Sequence, residues 1–231
     1  METKLHYFLN NVIEILLSIP NTILFNISVL PLKKALKLPF AVSYHVHWKN
    51  INKKNFIINN QNLKFASNRI GFGFSDGGFR ESKKCLIAIK GNGKIIINGT
   101  IGFGQGIVLE AYDGDIEFGN NFRCNYSCTI HSENSFIKFG ENISLGWNVT
   151  VKNYDGHNIV ENNFVKPKSL PIDIGDHCWI CSNSDILKGV RLGNDCVVAY
   201  KSIVTHSFDG NNLLLAGCPA KKIKENINWK E

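Results

Sequence analysis

Aliphatic and aromatic residues recur every six positions through the second half of this 231-residue chain. Glycine often follows the repeated position, and a small residue often stands four places after it. The repeated positions are Phe118, Cys124, Ile130, Phe139, Leu145, Val151, Ile174, Ile180, Ile186, Leu192, Val198 and Val204. Each six-residue unit supplies one short strand and one turn, and three units close a triangular coil around the repeated side chains. The spacing therefore predicts an all-β solenoid of stacked parallel strands.

The clarity of the repeat divides the chain into four parts. A helical N-terminal segment comes first, followed by irregular coils in which the repeat is degraded, then the regular solenoid, then a short C-terminal tail. The predicted bounds are 1–54, 55–117, 118–215 and 216–231, with a loop at 152–171 inside the regular part.

The N-terminal segment has helical spacing of apolar residues from Leu5 to Leu17, with Asn10, Asn11 and Glu14 between them. Pro20 is predicted to interrupt it. Crossing a bilayer takes about 20 apolar residues in succession, and we expect no such span here. Seven lysines and two glutamates give residues 1–54 a net charge of +5. Two placements stay open: packing on the solenoid or a neighbouring subunit, and peripheral attachment to a membrane surface.

Composition excludes some classes of protein. Hydrophobic residues make up 44% of the chain and charged residues 19%, which is typical of a globular core. The net charge is +7, but lysines and arginines do not alternate with aromatics in a stripe, so no nucleic-acid partner is expected. The seven cysteines and the lack of a recognisable signal peptide favour a reducing cytoplasm.

The cysteines are expected to be structural. Cys124 stands at a repeated position, and Cys128, Cys178 and Cys196 stand at the small inward one. Cys178 and Cys181 have the spacing of half a zinc site, but no second pair follows at a suitable distance. We therefore predict no metal site.

The repeat stops at Val151 and resumes near Ile172. A solenoid gains no packing from such an insertion, and long loops in compact domains are often functional. This one contains Asp155, Gly156 and His157. Because an unperturbed histidine has a pKa near 6.5, His157 can accept a proton at neutral pH. The break predicts His157 as the reactive residue.

The chain here resembles the hexapeptide-repeat acyltransferases, in particular the sugar O-acetyltransferases of the maltose, galactoside and surface-polysaccharide kind. The resemblance runs from Phe118 to Lys224. It is carried by FGNNFRCNYSCTI, IKFGENISLGWNVTV, the Asp-Gly-His loop, LPIDIGDHCWI, ILKGVRLGNDCVV and AGCPAKKIK. It implies a left-handed parallel β-helix, acetyl-CoA as donor, and a homotrimer with sites between subunits.

The resemblance also assigns residues. His157 falls at the position of the catalytic base, which would activate an acceptor hydroxyl for direct attack on the thioester; Asp155, or a backbone carbonyl, would orient the ring, although Asp155 is equally explained as a turn former. Acceptor contacts are implied for Asn125, Glu133 and Trp179, with turn stabilisation as the alternative for Asn125. Trp179 immediately precedes the repeated residue Ile180, so it is expected to point outward, where the acceptor or the pantetheine arm, often across a subunit boundary, would cover it. Positions implied to bind coenzyme A are Ser182, Tyr200, Thr205, His206, Lys221 and Lys224. Cys181 departs from the usual glycine and Tyr200 from a run of small residues, and both lie on the implied coenzyme A groove.

Several functions are compatible with these motifs. O-acetylation of a carbohydrate, such as a capsule, lipopolysaccharide or its lipid-linked precursor, is the leading hypothesis. N-acetylation of an amino-sugar nucleotide needs the same fold and base. A γ-carbonic anhydrase needs two metal-binding histidines close together on one coil, and the repeat region lacks that pair. A non-catalytic binding module would not explain the looped-out histidine.

Overall fold

The computed structural model describes residues 4–72 and 83–230, with side chains from residue 11 onward. Predicted coil positions at 73–82 and the apolar side chains of Leu5, Phe8 and Leu9 lie outside this set.

Two helices come first, α1 (Lys4–Val29) and α2 (Leu32–Ala35). The strands that follow are β1 (Phe40–Val42), β2 (Val46–Lys49), β3 (Phe56–Ile58), β4 (Asn68–Ile70), β5 (Cys85–Lys90), β6 (Lys94–Ile97), β7 (Ile101–Phe103), β8 (Val108–Tyr112), β9 (Asp115–Phe118), β10 (Phe122–Cys124), β11 (Thr129–Glu133), β12 (Phe136–Phe139), β13 (Ser144–Leu145), β14 (Thr150–Lys152), β15 (Val160–Glu161), β16 (Phe164–Val165), β17 (Ile172–Ile174), β18 (Trp179–Ile180), β19 (Asp185–Leu187), β20 (Arg191–Leu192), β21 (Val197–Val198), β22 (Ile203–Val204), β23 (Leu214–Gly217) and β24 (Ala220–Lys224).

Three sheets form the sides of a prism. Face 1 has the strand order β1-β4-β7-β10-β13-β18-β21-β23-β24, face 2 has β2-β5-β8-β11-β14-β19-β22, and face 3 has β20-β17-β12-β9-β6-β3. Strands within a face pair in parallel, except for the antiparallel pair β23–β24. The chain passes from face 1 to face 2 to face 3 and then starts the next coil. These stacked parallel faces are those of a left-handed β-helix, which confirms the predicted fold class.

The repeated residues form the core of the prism. All twelve are at most 4% exposed, and the small inward residues Cys128, Cys178 and Cys196 are fully buried. Phenylalanine rings fill the middle coils, where the Phe118 centroid lies 4.6 Å from that of Phe122. The glycines pack the turns, because a Cβ on Gly119 would lie 2.3 Å from the carbonyl oxygen of Gly140 on the next coil. The six-residue prediction of the core is therefore confirmed.

The sheets begin earlier than the sequence predicted. Strands β1 and β2 lie within residues 1–54, where only helix was expected, and β1 pairs with β4 on face 1. Phe40 and Val42 of β1 are fully buried. The six-residue spacing holds from Val42 to Trp48, which occupy the repeated positions of β1 and β2, but the corresponding residue of β3 is Ile58, ten residues later. One interval of six is too short a series to predict a coil.

Helix α1 closes the N-terminal end of the prism. The ring of Phe25 is fully buried. It makes edge contacts with Phe40 on β1, Trp48 on β2 and Phe56 on β3, at centroid distances of 5.4 to 5.6 Å. Because these three strands belong to the three faces, α1 lies across the end of the prism and not along its side.

Pro20 does not divide this helix, contrary to the prediction. A proline removes the hydrogen bond to the carbonyl four residues before it. Here that carbonyl belongs to Leu16, and both Pro20 and Leu16 are exposed, so water can solvate the unpaired oxygen.

The polar face of α1 replaces a neighbouring strand for β1. Asn26 exchanges two hydrogen bonds with the backbone of Phe40, at 2.8 and 3.2 Å. The Thr22 hydroxyl donates to the carbonyl of Val42 at 3.2 Å and accepts from its N–H at 3.0 Å. One helical turn advances about 5.4 Å and two strand residues about 6.6 Å. Residues four apart on the helix therefore meet alternate residues of the strand.

The opposite face of α1 is apolar and exposed. Ile13, Ile15, Leu16, Leu17, Ile19, Ile23, Leu24 and Ile27 are each between 40% and 58% exposed. By length and composition alone the 19-residue stretch Asn11–Val29 suffices to cross a membrane, which differs from the prediction of no span. The prediction required uninterrupted apolar residues, and the polar side chains that break the run include Thr22 and Asn26, which bind β1. Core helices and signal sequences have a similar composition, so the stretch by itself defines no span.

Candidate active site

Two edges of the prism carry most of the predicted site residues. The edge where the chain passes from face 1 to face 2, here called corner A, carries Asn125 after β10, Ser182 after β18 and Tyr200 after β21. The edge between faces 2 and 3, here called corner B, carries Glu133 at the end of β11 and the loop that follows β14. It also carries Thr205 and His206 after β22. Face 2 separates the two groups within one chain.

The loop that interrupts the repeat is ordered at its base. Tyr154 and Ser169 form an antiparallel bridge across it. The Asp155 N–H donates to the Lys168 carbonyl at 2.9 Å. Farther out, β15 and β16 pair in a short antiparallel hairpin. These contacts fix where the two arms of the loop leave corner B.

Lys188, in the turn after β19, ties the two arms together. Its ammonium group contacts the Asp155 carboxylate, and it donates to the Pro167 carbonyl at 2.8 Å. His157 is exposed, two residues beyond Asp155. The Asp155 carboxylate thus serves the base of the loop through Lys188, and the orienting of His157 by Asp155 stays a prediction.

Glu133 lies beneath the loop and is only 8% exposed. Its carboxylate accepts a hydrogen bond from Lys168 of the loop at 2.9 Å. Its backbone N–H donates to the side chain of Asn153 at 2.8 Å, and Asn153 is fully buried. The ion pair and the buried amide therefore both join the loop to strand β11.

A histidine that the sequence analysis did not place in the site lies beside Glu133. The His131 ring is 3.0 Å from the Tyr154 hydroxyl and 3.5 Å from the Glu110 carboxylate. Burial lowers the pKa of His131, although Glu110 and Glu133 oppose the shift. The ring is held neutral near pH 7 and packs edge-on against Tyr154, with 4.6 Å between centroids. It supports the loop from below.

At corner A the predicted residues follow one another along the stack. The Asn125 side chain accepts from the Tyr126 N–H at 2.9 Å, which is the turn-stabilising bond considered as its alternative role. The Ser182 hydroxyl accepts from the Trp147 N–H at 2.9 Å. The Tyr200 ring is 59% exposed, with the Lys201 ammonium 5.5 Å from its centroid. A bulky aromatic thus projects from this corner into solvent.

Trp179 points outward from face 1, as predicted, and is 39% exposed. Its ring centroid lies 5.9 Å from that of Trp229 in the C-terminal tail. Trp229 stacks on His177 at 4.4 Å and donates its indole N–H to the His177 carbonyl at 2.8 Å. The tail of the same chain therefore contacts an indole for which we expected only substrate or a neighbouring subunit as cover.

Burial raises the pKa of the Cys181 thiol to about 11. The thiol is protonated at neutral pH and is a poor nucleophile there, since the thiolate is the reactive form. This fits direct transfer better than an acyl-cysteine intermediate. Lys221 and Lys224 are exposed on β24, the last strand of face 1.

Within residues 4–72 and 83–230, no group of three or more histidine, cysteine, aspartate or glutamate side chains is arranged to hold a metal ion. The chemistry that the described residues offer is acid–base and electrostatic: an exposed imidazole on a braced loop at corner B, and outward polar and aromatic groups at corner A.

Comparison with known proteins identifies the family. No protein-family model matches the chain. It is 33% identical to galactoside O-acetyltransferase of Escherichia coli K12 over 120 residues, which are 51% of this chain and 58% of that protein. It is 31% identical over 193 residues to an uncharacterized 24.8 kDa protein in the cps region of Klebsiella pneumoniae, covering 80% of this chain and 83% of that one.

One solved structure supports the fold. The crystal structure of the polySia-specific acetyltransferase NeuO matches with a TM-score of 0.59 at 22% identity, covering 83% of this chain and 78% of that one. A galactoside acetyltransferase solved in complex with coenzyme A matches 91% of this chain and 86% of its own, at 19% identity and a TM-score of 0.43.

The fold and the candidate site together define a class of protein. Its members have a three-sided parallel β-helix with a histidine-bearing loop at one corner. The chain belongs to the hexapeptide-repeat acetyltransferase family, in its galactoside- and maltose-O-acetyltransferase-like group, which includes polysaccharide O-acetyltransferases.

Proposed function

We propose that this chain transfers an acetyl group from acetyl-CoA to a carbohydrate hydroxyl, with His157 as the general base. One observation carries the proposal: the loop that interrupts the solenoid presents an exposed histidine, and Lys188 and Glu133 brace that loop at its base. Membership of an acetyltransferase family supplies the reaction class. The identity to galactoside O-acetyltransferase supports a sugar acceptor.

The roles of the residues follow from the chemistry of acyl transfer. His157 takes the proton of the acceptor hydroxyl as its oxygen forms a bond to the thioester carbonyl carbon. The carbon–sulfur bond then breaks, and the histidinium returns the proton to the departing thiolate. Acetyl-CoA is the donor, and its phosphates suit the lysines at corner A and on β24, among them Lys201, Lys221 and Lys224.

A site shared between subunits is part of the proposal. Corner A and corner B of one chain lie on opposite sides of face 2, so within a single chain Ser182 and Tyr200, predicted to bind the donor, lie apart from the predicted base His157. A homotrimer in which corner B of one chain faces corner A of the next would bring them together. Asn125, Trp179 and Ser182 would then come from one subunit, and His157, Glu133, Thr205 and His206 from its neighbour.

The acceptor class that we favour is a bacterial surface polysaccharide or its lipid-linked precursor. Two similarities support this: the Klebsiella relative is described as lying in a cps region, and the NeuO structure is that of a polySia-specific acetyltransferase. N-acetylation of an amino-sugar nucleotide is the second candidate, because the same base would deprotonate an amine.

Incubation with acetyl-CoA and matched acceptors tests this choice. We expect acetyl esters, which hydroxylamine at alkaline pH releases, on oligosaccharides without amino groups. Mass spectrometry before and after that treatment distinguishes an ester from an amide. Acetylation confined to amino sugars, with a product stable to hydroxylamine, would favour the second candidate.

The exposed apolar face of α1 supports peripheral attachment to the cytoplasmic face of a membrane. Because α1 lies across the end of the prism, neighbours packed side by side along the faces would leave it uncovered. Lysines surround it: Lys33 and Lys34 lie in α2, and Lys53 and Lys54 share a shallow surface pocket with Ser28 of α1. Apolar residues beside lysines are typical of a helix that lies in an anionic bilayer surface.

Vesicle flotation tests the attachment. We expect the protein to float with vesicles containing phosphatidylglycerol and much less with pure phosphatidylcholine. The double substitution Leu16→Gln/Leu24→Gln should lower the bound fraction about tenfold, since partial burial of two leucines is lost. Lys94→Gln/Lys138→Gln on face 3 removes charge elsewhere and serves as the control. Unchanged flotation of the leucine variant, or a change in its oligomeric state instead, would contradict the proposal.

A further inference from the structure

Two tryptophans from distant parts of the chain lie next to each other on the outside of face 1. Trp179 belongs to β18, and Trp229 belongs to the C-terminal tail. Their ring centroids are 5.9 Å apart and their planes are tilted by 42°. Trp179 is exposed and Trp229 is half-buried, so the two rings, here called the indole pair, present apolar surface to solvent. An exposed apolar patch of this kind is typical of a place where a ligand binds.

The tail holds Trp229 in a fixed position. Two residues before it, the Ile227 N–H donates to the Asn212 carbonyl at 3.1 Å, and the Asn212 side-chain amide donates to the Ile227 carbonyl at 3.2 Å. The Trp229 ring lies flat on the His177 ring, with 9° between the planes. The His177 ring is itself 2.8 Å from the Asp195 carboxylate. The indole is therefore in place before a ligand arrives, and less conformational entropy is lost on binding.

The strand register leaves the Trp179 ring accessible from the outside of face 1. Trp179 is in register with Ser144 on β13 and with Val197 on β21. Ile180, which follows it, is fully buried, so Trp179 points away from the core. The side chains of Ser144 and Val197 are too small to cover an indole. A ligand that lies along face 1 can therefore reach the Trp179 ring without displacing either neighbour.

The tilt between the two rings favours a sugar over a purine as the ligand. A planar base that stacks flat on one indole would meet the other at 42° and lose stacking with it. A pyranose ring is puckered and carries an exocyclic carbon. The C–H groups of one ring face can lie on one indole while the exocyclic C–H groups contact the other. Aromatic side chains of this kind commonly line the sites of such ligands.

We propose that Trp229 joins Trp179 to form a subsite for one pyranose ring of the acceptor, bound through the C–H groups of one ring face. This deepens the proposed function, on which it rests, because it makes the C-terminal tail part of the acceptor site. The ligand class is a hexopyranose with a continuous patch of C–H groups on one face, such as a glucoside or a galactoside. The indole pair binds the acceptor and takes no part in proton transfer.

Saturation-transfer NMR without acetyl-CoA tests the subsite apart from the reaction. The probes are the methyl β-glycosides of glucose and galactose. We expect the C–H protons of one ring face to receive the strongest saturation. Titration should give a dissociation constant about tenfold higher for Trp229→Ala than for wild type, since one aromatic contact is lost. Trp229→Phe keeps an aromatic ring and should stay within about threefold of wild type.

Steady-state kinetics of the same variants separate binding from chemistry. In Trp229→Ala, KM for the acceptor should rise about tenfold while kcat stays within about twofold of wild type, as expected for a group that contributes only to binding. Ile223→Ala is the matched control, because Ile223 is an exposed apolar residue on β24 of the same tail. Its dissociation constant and KM should equal those of wild type.

Several outcomes would overturn the subsite. They are the absence of glycoside binding by wild type, unchanged affinity in Trp229→Ala, and an equal loss in Ile223→Ala. Tighter acceptor binding by Trp229→Ala would identify the tail as a cover over Trp179 and would also overturn it. So would a raised KM for acetyl-CoA with unchanged acceptor affinity, which would assign the indole pair to the donor. If the glycosides bind as expected but receive no acetyl group, the proposed function fails and the subsite stands.

Discussion

Replacement of His157 by alanine is expected to lower kcat for acetyl transfer by about 10² to 10⁴-fold, the usual contribution of a general base. The side chain is exposed, so its removal costs no core packing. The loop base stays intact because Lys188, Lys168 and Glu133 are unchanged. KM for acetyl-CoA should change little, since His157 is not among the residues proposed to bind the donor.

Asn158→Ala is the matched control, because Asn158 is the next residue of the loop and is also exposed. Its steady-state rate should stay within about twofold of wild type, as expected for a surface position away from the chemistry. Thermal unfolding would verify that both variants fold equally well. Wild-type turnover by His157→Ala would remove His157 from the mechanism and leave the acetyltransferase family assignment in place.

Two inactive variants are expected to restore activity when they assemble together. One carries His157→Ala, and the other carries substitutions at corner A, Asn125→Ala with Trp179→Ala. In a cyclic trimer of mixed composition, one interface joins an intact corner B to an intact corner A. Random mixing places about three quarters of the trimers in the mixed class, each with one working site in three, so about a quarter of the wild-type activity should return.

The measurement is the acetylation rate of the co-expressed, co-purified mixture, with each variant alone at the same concentration as reference. A mixture of His157→Ala with Glu133→Gln is the matched control, because both substitutions lie at corner B and no interface regains an intact pair. Recovery in that control, or none in the first mixture, would contradict a site built from two chains.

The six-residue spacing predicted the core because it specifies which side chains point inward, and Phe118, Ile174 and Val198 are buried accordingly. The start of the solenoid was not predicted, since Phe40 and Val42 lie in coils whose connections vary in length. The orientation of α1 was not predictable from periodicity either. An amphipathic pattern is usually interpreted as a helix with its apolar face toward the protein. In α1 the polar face lies against the protein, because Thr22 and Asn26 form hydrogen bonds with the edge strand β1.

The candidate site was predicted in part. His157 was found because it interrupts a repeat, and Trp179 because the repeat places it on the outside. Lys188, Lys168 and Asn153 were missed, because they occupy ordinary loop and turn positions and gain their role only when coils stack. The one sign of these residues in the sequence was the loop itself, because a long loop needs contacts at its base to fix its position. The assignments of the site residues stay predictions that the variants above test.

The ladder of hydrogen bonds from α1 to β1 has a consequence for assembly. The first coil of a parallel β-helix has an edge strand whose outer backbone N–H and C=O groups have no strand to pair with. Such an edge would accept another strand from any neighbouring molecule. The side chains of Thr22 and Asn26 form hydrogen bonds with those groups. Unlike a strand, they offer no further row of backbone groups with which another strand could pair. The same helix that exposes an apolar surface therefore also terminates the stack, and it keeps face 1 from extending through another molecule into a fibre.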